Sequence, residues 1–228
     1  MHFIYATQTL KTGVFDLIEA RNIYSINILF RSLIDHFLRF YYIFLSFAEQ
    51  KNDSAGTHYL KFNLASEHLN YAFSLKSMSE IRGGNINDIN VFDLIRKHNP
   101  QLKEFSNSKL KKEIKKYSTK NMIKKIVDTI YSQSDVDESS LFLLKLLPQY
   151  SELSSFVHGG IDSTHSLGHF GDFESQELTD NIEERFKFAF LIAANILNFS
   201  FLAGFNIDEK FKEPFIRSHD VIKRAMKI

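Results

Sequence analysis

Leu29-Phe30-Arg31-Ser32-Leu33-Ile34-Asp35-His36-Phe37-Leu38-Arg39-Phe40-Tyr41-Tyr42 is the stretch on which the reading of the fold turns. Its apolar residues Leu33 and Phe37 continue a series that begins at Phe15, Ile18, Ile26 and Leu29 and reaches Ile43, at intervals of three and four or twice these. That period is helical. From about Val14 to Gln50 the chain therefore predicts one long helix, or two joined near Ser25. The same stretch carries Arg31, Asp35, His36 and Arg39 inside a run that would otherwise be core. Burying charge is costly unless it is paired, so a polar partner elsewhere in the chain is required.

Outward from this stretch the composition agrees. Three Pro and nine Gly in 228 residues leave few chain-breakers, which favours long helices over a turn-rich β fold. The turn cluster Lys51-Asn52-Asp53-Ser54-Ala55-Gly56 precedes a second helix that holds Tyr59 to Leu75 and stops at Arg82-Gly83-Gly84. A third element holds Val91 to Ile95 and ends before Pro100. Ser108 to Ile130 is helical with an interruption at Ser118-Thr119, and Glu138 to His158 is a helix kinked or restarted at Pro148. Gly159 to Gly171 reads as a loop. The last large helix begins near Ser175 with Thr179 as a cap, and a tail helix follows Asp208. Without repeats or low-complexity tracts, the expectation is all-α: one helical domain over 1–228, an irregular bundle of about six to eight helices.

Zero cysteines exclude a disulfide framework, a zinc ribbon and a thiol nucleophile. The N-terminus Met1-His2-Phe3-Ile4-Tyr5 lacks a basic start and a long apolar core, so export is not expected and a cytoplasmic location is the default. Phe188 to Phe205 carries no charge and is about long enough to span a bilayer. Asn195, Asn198 and Ser200 interrupt it, so a buried central helix is expected and no membrane partner.

A second polar stripe answers the first. Tyr150, Ser154 and His158 repeat every four residues, which lines two hydroxyls and an imidazole along one face of a helix ending at Gly159-Gly160. A helix C-terminus favours imidazolium. Arg31 and Asp35 sit about 40° apart around their helix and Arg39 extends their stripe, whereas His36 lies about 140° from Arg31. If the two helices pack side by side, Arg31, Asp35, Ser154 and His158 form one cluster, with Asp35 orienting His158 as carboxylates orient catalytic imidazoles.

Charge is segregated. Residues 101–125 hold nine Lys against Glu104 and Glu113, a net of +7, while residues 131–184 hold eleven acids against Lys145. Lys109, Lys112, Lys116 and Lys120 fall near one face, opposite Leu110, Ile114 and Tyr117, and form either a candidate RNA-binding surface or a solvated helix face that pairs with the acidic half. His158, His165 and His169 with Asp162 and Asp172 hold the residue types of a metal site, but Gly160, Gly168 and Gly171 argue against the helix that would converge them. The region reads as a surface loop, with no metal and no cofactor expected.

Arg31-x4-His36 resembles the motif of the HEPN superfamily, small helical bundles many of which are metal-independent ribonucleases of bacterial defence and toxin systems. Over about residues 14 to 200, Arg31-x3-Asp35 in a first apolar helix followed by Tyr150-x3-Ser154-x3-His158-Gly159 is similar to bacterial abortive-infection-like helical proteins with Arg-x3-Glu and Ser-x3-His-Gly. Asp35 stands here in place of their Glu. The resemblance implies an endoribonuclease of a defence or toxin system in which His36 or His158 takes the proton of a ribose 2′-hydroxyl and Arg31 stabilises the charge on phosphorus. It also implies a homodimer, whose site assembles across two copies, and a partner protein. The alternative from the residues is a non-catalytic helical sensor or partner-binding module, in which the polar cluster only fixes helix register.

Overall fold

A computed structural model describes residues 2–83, 90–132, 138–160, 163–164 and 175–226. Among these are nine α-helices and no strand, one helix more than the upper end of the expected range. The chain divides into two compact units, residues 1–45 with 126–228 and residues 46–125.

In the first unit, α1 (His2–Glu19) and α2 (Ile23–Gln50) meet at a turn. The break falls at Ala20–Asn22 instead of near Ser25. Arg21 takes a left-handed conformation, φ 50°, that ends α1, and the Asn22 carboxamide accepts the Ser25 N–H at 3.1 Å to start α2. Of the spaced series, Ile26, Leu33 and Phe37 are buried while Phe15, Ile18, Leu29 and Ile43 are half-buried; Phe30, Ile34, Leu38 and Tyr41 complete the buried stripe of α2. At Gly13 an added Cβ would stand 2.9 Å from a Leu29 methyl, so glycine lets α1 approach α2.

α7 (Glu138–His158) runs through Pro148 as one helix, with no restart. Proline removes one hydrogen bond from the helix, but α2 holds α7 on both sides of it. Tyr41 and Phe37 meet Ser140 and Phe142 before the proline; Arg31 and Tyr24 meet Tyr150 and Phe156 after it. In the four pairs the residue numbers sum to about 180, so α2 and α7 lie antiparallel in fixed register.

α8 (Gln176–Phe205) packs against α1 and against α9 (Lys212–Met226). Its cap is Ser175, whose hydroxyl accepts the Leu178 N–H at 3.2 Å; Thr179, the expected cap, instead accepts from Arg21. Among the described residues α8 is the one helix long and apolar enough to cross a membrane, and 44% of its most apolar window is buried. Its buried face includes a guanidinium. Arg185, 4% exposed, donates from Nε to Asn27 Oδ1 at 3.2 Å and from Nη1 to Gln149 Oε1 at 2.9 Å. Burial pushes Arg185 below the ordinary guanidinium value and Glu184 opposes this, yet arginine stays charged.

The second unit holds α3 (Ser54–Ile81), α4 (Val91–His98) and α5 (Asn107–Lys115), with the start of α6 (Thr119–Tyr131). α4 and α5 pack on α3, burying Tyr59, Phe62 and Ala65 of α3 with Ile95, Leu110 and Ile114. Asn90 and Ser106 cap α4 and α5 by accepting backbone N–H groups of their first turns. α3 ends at Arg82 and Gly83, where φ 74° requires glycine. The predicted interruption at Ser118-Thr119 falls between α5 and α6.

Arg185→Met fills similar space but leaves the buried Asn27 carboxamide without its donor, a loss expected to cost about 1–3 kcal/mol in denaturant unfolding. Adding Asn27→Leu is expected to recover part of that loss. A double variant no more stable than Arg185→Met would show that the Arg185–Asn27 bond is not what the single change removes.

Candidate functional site

The predicted juxtaposition of the two polar stripes is present. Asp35 is its centre: Arg39 Nε donates to Oδ2 at 2.6 Å, the Tyr150 hydroxyl donates to Oδ1 at 3.3 Å, and Arg31 Nη1 lies 3.8 Å from Oδ1. Arg31 spends its other donors across the seam, Nη2 on the Tyr150 oxygen at 2.5 Å and Nε on Ser154 Oγ at 3.3 Å. Its guanidinium carbon sits 3.7 Å from the Tyr150 ring centroid, so the cation also stacks on the ring face. Ser154 in turn donates to the Tyr150 carbonyl at 2.8 Å. The ion-pairing side chains are 16–23% exposed, too enclosed for water to screen them fully and too open to count as core.

His158 does not join them. It is exposed, and among the described residues it makes no hydrogen bond or ion pair, so Asp35 does not orient it. The register explains why. With opposed residues summing to about 180, His158 stands level with residue 22, nine residues or about 13 Å along the axis from Arg31. Four-residue spacing placed His158 on the face of Tyr150 and Ser154, but one helical turn beyond Ser154, the last position on α7 that Arg31 bonds.

His36 is also separate. Its Nδ1 lies 3.0 Å from the Ser32 carbonyl and its ring meets Phe3 edge-on, in keeping with its offset of about 140° from Arg31. The seam thus brings together Arg31, Asp35 and Ser154, with Tyr150 and Arg39, and leaves out both histidines. Two guanidiniums, a carboxylate and two hydroxyls bind and order one another here. His165, His169, Asp162 and Asp172 lie outside the described residues. Among those described, no three His, Asp or Glu side chains converge as a metal site.

Of the four lysines assigned to RNA, Lys109 and Lys112 lie on α5, Lys116 in the turn after it and Lys120 on α6. The helix break divides the single stripe expected from spacing. All four are exposed, while Leu110, Ile114 and Tyr117 are buried as predicted. Two ammonium groups lie near the Phe105 ring, Lys109 at 4.7 Å and Lys61 at 4.8 Å from its centroid.

Sequence reasoning missed the imidazole next to this surface. His58 of α3 has Nε2 3.1 Å from Glu113 Oε2 and Nδ1 against the Tyr117 hydroxyl, and Glu113 takes Lys116 Nζ at 2.6 Å. Burial holds His58 below its ordinary value, outweighing the upward pull of Glu113. The hydrogen-bonded Lys116 ammonium holds Glu113 below the usual carboxylate range. With the imidazole neutral, Nε2–H donates to Glu113 and Nδ1 accepts from Tyr117. Histidine and glutamate lie 55 residues apart in sequence, so no local spacing announces this pair.

Both shifts act in one direction. Below about pH 6.5 the unfolded chain protonates its histidine before folded His58 does, so stability falls as pH drops through that window. The Glu113 contribution is lost at still lower pH, as its carboxylate protonates. His58→Gln is expected to flatten the fall in melting temperature between pH 7 and the folded His58 value; an unchanged slope would exclude His58 as its source.

At the seam, Tyr150→Phe is expected to cost about 1 kcal/mol by removing the bridge between Arg31 and Asp35. His158→Gln is expected to change stability by less than about 0.5 kcal/mol. Equal costs for the two would place His158 in the cluster. Comparison with protein-family models, with curated proteins and with solved structures finds no match to this chain.

Proposed function

We propose that this chain is a non-catalytic helical binding module that holds single-stranded RNA on the lysine-rich surface around α5. One observation carries the choice between binding and catalysis: Arg31 is engaged by Tyr150, Ser154 and Asp35, while His158 and His36 stand apart from it. Cleavage through a 2′-hydroxyl needs a base and a cation on the same phosphodiester. His58 supplies no alternative base, because both its ring nitrogens are already engaged by Glu113 and Tyr117.

The choice of ligand rests on the other unit. Eight exposed lysines between residues 103 and 124 face solvent, and Phe105 lies among them near Lys61 and Lys109. Cations that follow a phosphate backbone, interleaved with an aromatic ring on which a base stacks, are the means by which single strands are held without sequence readout. Lys116 is the most committed of the four, through Glu113.

The test is fluorescence anisotropy with a labelled oligoribonucleotide in EDTA. Binding is expected to weaken steeply with salt, and Lys109, Lys112, Lys116 and Lys120 changed together to Gln should reduce the salt slope by up to about 3. The oligonucleotide should remain uncut. No binding at low salt, or a salt slope the quadruple variant does not alter, overturns the ligand assignment. Cleavage in EDTA that His158→Gln or His36→Gln abolishes overturns the non-catalytic reading and restores the endoribonuclease.

A further inference from the structure

α3 is apolar on two opposite sides. One side is buried through Tyr59, Phe62, Ala65 and Ala72 and exposes Phe73 (51%) toward the C-terminal end of the helix; the other exposes Leu60 (63%), Leu64 (44%), Tyr71 (58%), Met78 (47%) and Ile81 (85%). Leu64, Tyr71 and Met78 are each seven apart, a spacing that drifts only about 20° per step around a helix, and Leu60 and Ile81 extend the row by four and three. The row runs 22 residues, about 32 Å. Single exposed apolar residues need no explanation, but five aligned at heptad spacing form a seam of the kind that packs against another helix.

We infer that this seam is occupied by the same seam of a second copy, running antiparallel. Its intervals are 4, 7, 7 and 3, which read nearly the same from either end, with Tyr71 at the centre. Two antiparallel copies therefore place Leu60 opposite Ile81, Leu64 opposite Met78 and Tyr71 beside Tyr71, which is the self-complementary surface a two-fold axis requires. The polar positions select the direction. Glu67 is the one charged residue within the row, and a parallel pair would set it against its own copy, whereas the antiparallel pair sets it level with the uncharged Ser74 and Leu75. The five residues together expose about 600 Å² on each copy, so a pair buries at most about 1,200 Å², the lower edge of stable interfaces, and the dimer is weak and concentration-dependent. This surface lies on the side of α3 away from its buried face, and the inference does not depend on RNA.

Sedimentation of the full chain across a concentration series without nucleic acid is expected to show a monomer–dimer equilibrium. Leu64→Lys with Met78→Lys, two exposed sites, should shift it to monomer with an unchanged helical signal. The chain has no cysteine, so introduced thiols report direction. Leu60→Cys mixed with Ile81→Cys should cross-link between copies, and Leu60→Cys alone should not. A monomer at every concentration overturns the inference, as does a dimer that the lysine variant leaves intact. Cross-linking of Leu60→Cys to itself overturns the antiparallel arrangement.

Discussion

One carboxylate, that of Asp35, holds two arginines and a tyrosine hydroxyl at the junction of α2 and α7. Within α2 it neutralises cations four residues away on either side, and across the seam its bond from Tyr150 joins α2 to α7. A helix as apolar as α2 could slide or rotate against its neighbour and still bury hydrocarbon, because non-directional contact does not choose among registers. Directional bonds do. The hydrophobic stripe supplies the attraction, and the Asp35 group decides which residues meet, a use of polar residues in packed helices that is attested elsewhere. Pro148 is carried within a continuous helix because this register anchors α7 on both sides of it.

The second unit solves a similar problem with different chemistry. Its lysines repel one another, and Glu113 offsets part of that repulsion from a largely enclosed position beside Lys116. His58 and Tyr117 complete the enclosure and tie α3 to the end of α5. The carboxylate that makes α5 tolerable next to α3 is one of only two acids in the basic segment. The surrounding cations remain solvent-facing.

Helices and much of their apolar faces were legible in the sequence because period and burial are local properties: three- and four-residue spacing named Ile26, Leu33 and Phe37 of the α2 core, though it also named Leu29 and Ile43, which flank the buried stripe. The α2–α7 pairing was legible too, since charges in a core stripe demand partners and Tyr150, Ser154 and His158 offered them. What spacing does not contain is the axial offset between two helices. A face fixes an angle and leaves translation undetermined, which is why Ser154 reaches Arg31 and His158 does not. Local turn chemistry misled at two places. Apolar spacing runs on through the junction of α1 and α2, so it does not locate the break, which the left-handed Arg21 and the capping Asn22 set ahead of Ser25. Ser175 took the cap that Thr179 also suited. The Arg185 bonds to Asn27 and Gln149, like His58 with Glu113, join residues remote in sequence and left no local signature.

The fixed α2–α7 register also bears on how such a chain can change length over evolutionary time. Inserting one residue into α2 between Tyr24 and Tyr41 turns everything beyond it by about 100° and advances it by 1.5 Å. A matching insertion in α7 restores the level but not the facing, because each helix turns its displaced residues about its own axis. Deletions and insertions are thus confined to the connections between helices, while within this pair divergence proceeds by substitution alone.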